Sequence, residues 1–292
     1  MKMRKKAALL LTGIVLIVLT GCGNEEPRKE STAAEGLSEL GKVTVVSRED
    51  GSGTRSTFAQ LLDFQENDKG KTDLTTEDAV IVENSSDVID VVESDIAGIG
   101  YLSMGAPDLE KVKVLSVNGI TADVNDSKYP LSRAFYLAYS GKLSALEQDF
   151  LIYIHSAGQE IVGRSYAQVA KSDTFLSNRA EGTIVISGST SVYPLMKELA
   201  KGYMTINPSA VITVSQSDST DGLTGAMNGT YDFGMASREL KDYEKELLNY
   251  EIIARDGIAV IVNKENPLTN ISLEQLKKIY TGDEKEWGNL NE

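Results

Sequence analysis

Cysteine, histidine and tryptophan each occur once among the 292 residues, and 29 lysines and arginines face 43 aspartates and glutamates. A single cysteine excludes an intramolecular disulfide. A single histidine, His155, leaves no cluster with metal-ligand spacing and withholds the usual general base from a hydrolytic serine. On an amphipathic helix, where the pattern around it places His155, it reads as a packing or surface residue. The net charge of −14 argues against nucleic acid and anionic membrane surfaces, both of which are bound through basic patches. The apolar stretch 7–19 is shorter than the roughly 20 residues that a transmembrane helix needs.

What is present at the N-terminus has a definite layout. Lys2, Arg4, Lys5 and Lys6 precede the apolar stretch, which ends in Leu19-Thr20-Gly21-Cys22. That is the pattern of a secretory signal peptide over 1–21, and its end resembles the lipobox of bacterial lipoproteins, with Cys22 as the lipidated residue. Residues 22–41, rich in Glu, Ser, Thr and Ala, read as a flexible tether. The mature protein is then expected on the outer face of the cell membrane, anchored by lipid. It would carry 25 basic against 43 acidic residues, a net charge of −18.

The run Arg48-Glu49-Asp50-Gly51-Ser52-Gly53-Thr54-Arg55 lies between a β-branched apolar segment, 42–47, and a segment of helical spacing, 56–64. A helix start there offers unpaired amides and the positive end of a dipole to an oxyanion. Gly51 and Gly53 permit close backbone approach, Ser52 and Thr54 add hydroxyls, and Arg48 adds a planar fork for two oxygens of one ligand. A glycine turn capped by Ser52 or Thr54 is the purely structural alternative.

The same arrangement of strand, hydroxyl-rich turn and helix recurs three times. Gly188-Ser189-Thr190-Ser191 follows a strand at 183–186, Ser217-Asp218-Ser219-Thr220-Asp221-Gly222 follows one at 211–214, and Ala236-Ser237-Arg238 follows 231–235. Between them lie expected strands at 79–82, 96–101 and 112–117, helices at 88–93 and 144–157, and a polar stretch, 164–182, that reads as an internal linker. Four turns at the carboxyl ends of strands are where open α/β sheets place ligands.

Together these turns resemble the phosphate-binding proteins that serve ABC-type phosphate importers, over most of the mature chain. The resemblance implies an α/β fold of the periplasmic-binding-protein type, with two lobes, a hinge and a ligand cleft between them. It also implies no enzymatic activity and no cofactor, inorganic phosphate as ligand, the membrane subunits of an ABC permease as partner, and a monomer. Carried over, the phosphate-binding residues are Arg48, Ser52, Gly53, Thr54, Thr190, Ser191, Ser219 and Ser237, with Asp50 orienting Arg48 and Arg238 beside them. In the family the Arg-x-Asp-Gly-Ser-Gly-Thr segment follows the other three and follows a Trp-containing segment like the one ending at Trp287; here it comes first. A circular permutation accounts for that order, with 164–182 joining the family's usual ends. One lobe would be discontinuous, 42–112 plus 255–292, and the other continuous, 113–254, with hinge crossings near 112–118 and 253–260. Gram-negative members carry, where Arg238 stands, an aspartate that accepts the proton of hydrogen phosphate. Sulfate therefore stays open as the ligand, with Asp50 as a substitute acceptor. A phosphate sensor, a surface adhesin, or a serine hydrolase or phosphatase built on Ser52 or Ser191 are the other readings.

Overall fold

A computed structural model describes residues 33–65 and 73–291. The expected signal peptide and Cys22 lie outside the described residues. In chain order the elements are α1 (Ala33–Glu39), β1 (Thr44–Arg48), α2 (Gly53–Leu61), β2 (Val80–Val82), α3 (Ser85–Ser94), β3 (Gly98–Ser103), β4 (Lys113–Val114), β5 (Ser116–Val117) and β6 (Ser132–Tyr139). Then follow α4 (Ala145–Ile154), α5 (Gln159–Val162), β7 (Gly182–Gly188), α6 (Tyr193–Ile206), β8 (Ala210–Val214), α7 (Ser219–Asn228) and β9 (Phe233–Ala236). The last are α8 (Asp242–Leu247), β10 (Asn249–Val262), β11 (Asn270–Ile271), α9 (Leu273–Thr281) and a 3₁₀ turn, Trp287–Asn291.

The strand order β2-β1-β3-β10-β6-β9-β7-β8 forms one curled sheet that serves two lobes. β10 belongs to both. Its second half pairs antiparallel with β3, Ile258 opposite Ser103, while its first half pairs antiparallel with β6, Gly257 opposite Ser132. Alternation sorts its side chains: Ile258, Val260 and Val262 enter one apolar cluster of the first lobe and Ala259 and Ile261 the other. A register shift between Ile252 and Ala254 breaks that period in the second lobe. Consecutive Ile253 and Ala254 therefore reach the same cluster, as a β-bulge permits.

The chain crosses between lobes at Leu131 to Ser132 and again at Gly257 to Ile258, side by side, with the Ile258 amide donating to the Leu131 carbonyl at 2.7 Å. The first crossing departs from the boundary expected at 112. β4 pairs with the second half of β10, β5 pairs with β11, and Leu115, Val117, Tyr129 and Leu131 are buried with Val45 and Trp287. Residues 113–131 thus fold with the first lobe, a long-range pairing that local pattern does not report. The tether expected through residue 41 also needs correction: 33–39 are helical and Leu37 is buried in the first lobe's core. The expected linker 164–182 lacks regular structure as far as β7, yet it is pinned. Ala167 exchanges backbone hydrogen bonds with Arg255 at 2.9 and 3.0 Å, Tyr166 is buried, and Asp149 accepts from the Ser177 hydroxyl at 2.7 Å.

Candidate anion-binding site between the lobes

Three helices, α2, α6 and α7, begin at the seam between the lobes, and α2 and α7 begin earlier than apolar periodicity predicts because their caps are polar. Ser52 caps α2, its Oγ accepting from the Arg55 amide at 3.4 Å, so Gly53 and Thr54 form the first turn. Asp218 caps α7, accepting from the Thr220 and Asp221 amides at 2.7 and 2.8 Å. The α6 start has no side-chain cap, and Ser189, Thr190 and Ser191 lead into it from Gly188. Gly188 turns the chain there at φ 135°, where a Cβ would lie 2.4 Å from the Met235 carbonyl oxygen. A helix start offers unpaired amide donors and positive partial charge, and here three of them lie at the seam.

The side chains that converge come from both lobes. Thr54 Oγ1 and Ser191 Oγ are 2.8 Å apart. Ser189 Oγ donates to Ser237 Oγ at 2.9 Å, the Ser237 amide donates to Ser219 Oγ at 3.1 Å, and Thr57 Oγ1 donates to the Ser237 carbonyl at 3.1 Å. A Cβ on Gly53 would come within 2.3 Å of Ser219 Oγ and 2.7 Å of Ser237 Oγ, so only glycine lets the lobes approach this closely. Arg48, Ser52, Thr54, Thr190, Ser191, Ser219 and Ser237 are all buried. Beside this cluster opens a cleft of about 360 Å³, walled by Asn84, Ser85 and Pro107 from one lobe and Thr190, Tyr193 and Gln216 from the other.

Arg48, at the end of β1, reaches across the seam, its Nη2 donating to Thr190 Oγ1 at 3.1 Å and to the Glu83 carbonyl at 3.0 Å. Its orientation does not come from Asp50, as expected from the resemblance. Asp50 has a side chain 77% exposed and pairs with Arg55 at 2.9 Å. Glu49 holds Arg48 instead, accepting from Nε at 2.8 Å and from Nη2 at 2.7 Å. Burial pushes the Glu49 carboxyl above its ordinary range, and the negative charge of Asp218 across the cleft adds to the push, against the opposing pull of Arg48.

Arg238 also departs from its expected place in the site. Its Nη1 and Nη2 donate to Glu244 at 2.7 and 2.8 Å, with further bonds to the Glu239 carbonyl at 2.9 Å and Thr220 Oγ1 at 3.3 Å. The guanidinium therefore ties α8 to the start of α7, neutralised by a carboxylate that is itself buried. Sequence reasoning passed over Glu49, Ser189, Thr57 and the buried pair Arg133–Asp256. An arginine inside the apolar β6 run and an aspartate inside β10 were the signals for that pair. His155 caps α4 and lies 3.9 Å from Glu251, outside the hydroxyl cluster. Ser191 faces Thr54, and Ser52 caps α2, and among the described residues neither is hydrogen-bonded to the base that a nucleophile requires. Among the described residues no group of three or more His, Cys, Asp or Glu side chains is placed to hold a metal.

The PBP superfamily domain model matches residues 28–157 and 174–291. The phosphate-binding protein PstS 2 of Streptococcus pneumoniae serotype 4 is 36% identical over 297 residues, covering 99% of this chain and all of that protein. The chain belongs to the PBP superfamily, in its PstS group. PstS 2 of Streptococcus agalactiae serotype V is likewise 36% identical over 302 residues, all of both chains. A crystal structure of a phosphate ABC transporter, phosphate-binding protein from Streptococcus pneumoniae TIGR4, superposes with a TM-score of 0.70, covering 86% of this chain and all of that one at 36% identity. These PstS-group relatives thus align with 86–100% of this chain.

Proposed function

We propose that this chain captures inorganic phosphate between its two lobes and delivers it to an ABC-type permease, without chemical conversion. The observation that carries this reading is Arg48: a buried guanidinium at a helix start that bonds Thr190 of the opposite lobe, amid hydroxyls of both lobes. The names of the PstS 2 relatives agree with it. In this account Arg48, Ser52, Gly53, Thr54, Thr190, Ser191, Ser219 and Ser237 supply the donors. Hydroxyls and amides that presently bond one another would turn to the anion, each charge-assisted bond contributing about 1.5–3 kcal/mol. Glu49, the carboxylate that abuts Arg48, takes the acceptor role that Asp50 was expected to play. It would receive the proton of hydrogen phosphate and repel fully ionised sulfate.

The same reading puts the protein outside the cytoplasm, with 1–21 as signal peptide and Cys22 as lipid anchor. It also takes the element order as a circular permutation. In favour of that, the two ends of the described chain are bonded together: the Val43 amide donates to the Lys285 carbonyl at 2.8 Å and the Trp287 amide to the Gly41 carbonyl at 2.9 Å. Calorimetric titration with phosphate tests the site. Wild type gives saturable heat, and Arg48→Ala loses binding by at least about a hundredfold while its unfolding stays cooperative. Equal affinity in Arg48→Ala contradicts the assignment.

A further inference from the structure

Thr54 is held from behind by a residue that the carried-over site does not contain. Arg133, on β6 beside the first lobe crossing, donates from Nη1 to Thr54 Oγ1 at 2.7 Å and to the Ser237 carbonyl at 3.4 Å. It stands directly opposite Asp256 in the β6–β10 register, with Nε donating to Asp256 Oδ2 at 2.9 Å. Asp256 Oδ1 accepts from Ser103 Oγ at 3.0 Å, and the guanidinium carbon sits 5.1 Å from the centre of the Phe135 ring. Nη2 is 2.8 Å from Asp256 Oδ2, but no described residue meets it at a hydrogen-bond angle, so this buried guanidinium keeps donor capacity beside the site. Its side chain is 2% exposed.

A guanidinium only donates, so Thr54 Oγ1 must accept from Arg133, and the one hydroxyl proton of Thr54 is left to donate elsewhere. An oxyanion only accepts. We propose that Arg133 is a positioning residue of the anion site, which commits the Thr54 hydroxyl proton to the ligand and ties that orientation to the hinge through Asp256 and to the second lobe through Ser237. The inference rests on the phosphate reading above. It differs from a purely structural ion pair in one respect: its effect on binding passes through the hydroxyl of Thr54.

A double-mutant cycle read by phosphate calorimetry tests it, using wild type, Thr54→Val, the paired replacement Arg133→Gln with Asp256→Asn, and all three changes together. The paired replacement avoids leaving Asp256 buried alone. It is expected to weaken phosphate binding about tenfold or more in the wild-type background and less than about threefold in the Thr54→Val background. Additive losses overturn the proposal. If the paired replacement does not fold, Arg133→Lys, which keeps the charge beside Asp256 but gives up the fork, supports the same comparison. Absence of phosphate heat from wild type contradicts the phosphate reading itself, whereas wild-type binding with additive losses overturns only the role of Arg133.

Discussion

Arg48 and Arg238 are both buried and both held by two bonds to a glutamate, yet only Arg48 reaches the opposite lobe's hydroxyls. The two glutamates therefore predict opposite phenotypes. Glu244→Gln leaves Arg238 buried without its counter-charge and should cost about 3–5 kcal/mol of stability at neutral pH with little change in ligand affinity, as denaturant unfolding and calorimetry would read. Burial works against the Glu244 carboxylate, but the bonds from Arg238 and the Lys241 amide outweigh it and hold its pKa below the ordinary 4.5. That stability is fully present above pH 4.5 and is lost as pH falls through the depressed value, so the gap between wild type and Glu244→Gln should close in acid. Glu49 has the opposite sign. Its pKa is raised, chiefly by burial, so it takes up a proton earlier on acidification than an ordinary glutamate. If it accepts from hydrogen phosphate, preference for phosphate over sulfate in wild type should weaken as pH falls through its raised pKa, above the 4.5 of an ordinary glutamate. Glu49→Gln should show a low preference and lose the part of the pH dependence that follows the Glu49 carboxyl. A wild-type preference that survives in Glu49→Gln contradicts that role.

At the scale of elements, the site is a set of helix starts brought together at one seam. Gly53 is the position where this geometry is most exacting, because the added methyl of Gly53→Ala would fall 2.3 Å from Ser219 Oγ. The substitution suits a first helical turn and should leave folding near wild type, while weakening phosphate binding by about a hundredfold or more because the lobes cannot approach. Near-wild-type affinity would mean that binding does not need this approach. The turns themselves were legible in the sequence, since glycine, serine, threonine and arginine between a β-branched run and a helical one have a local cause. The helix starts were placed late because the caps Ser52 and Asp218 begin helices before any apolar residue does. What could not be read locally was direction. Asp50 and Glu49 are neighbours in sequence, but only Glu49 faces the Arg48 fork, and Arg238 turns toward a carboxylate six residues on. Those choices are made by burial and by partners far away in the chain.

On the scale of the whole molecule, two lobes joined at adjacent crossings, Leu131 to Ser132 and Gly257 to Ile258, suit a hinge that closes on a small ligand. The α/β class followed from four strand–turn–helix units and the two lobes from the family those units resemble, whereas the place of the first crossing followed from neither, because β4 and β5 are two-residue strands that take their partners from β10 and β11. If the order is a circular permutation, joining Leu290 to Leu37 by a short linker and opening the chain within 168–176 should give a folded protein with phosphate affinity within about tenfold of wild type. Loss of cooperative unfolding in that variant would count against it. The most direct test of the account is calorimetric titration of the protein with phosphate, then separately with sulfate, at pH 8. Saturable binding of phosphate with at least about a hundredfold weaker binding of sulfate is the predicted result; equal binding of the two anions, or no phosphate heat, would contradict it.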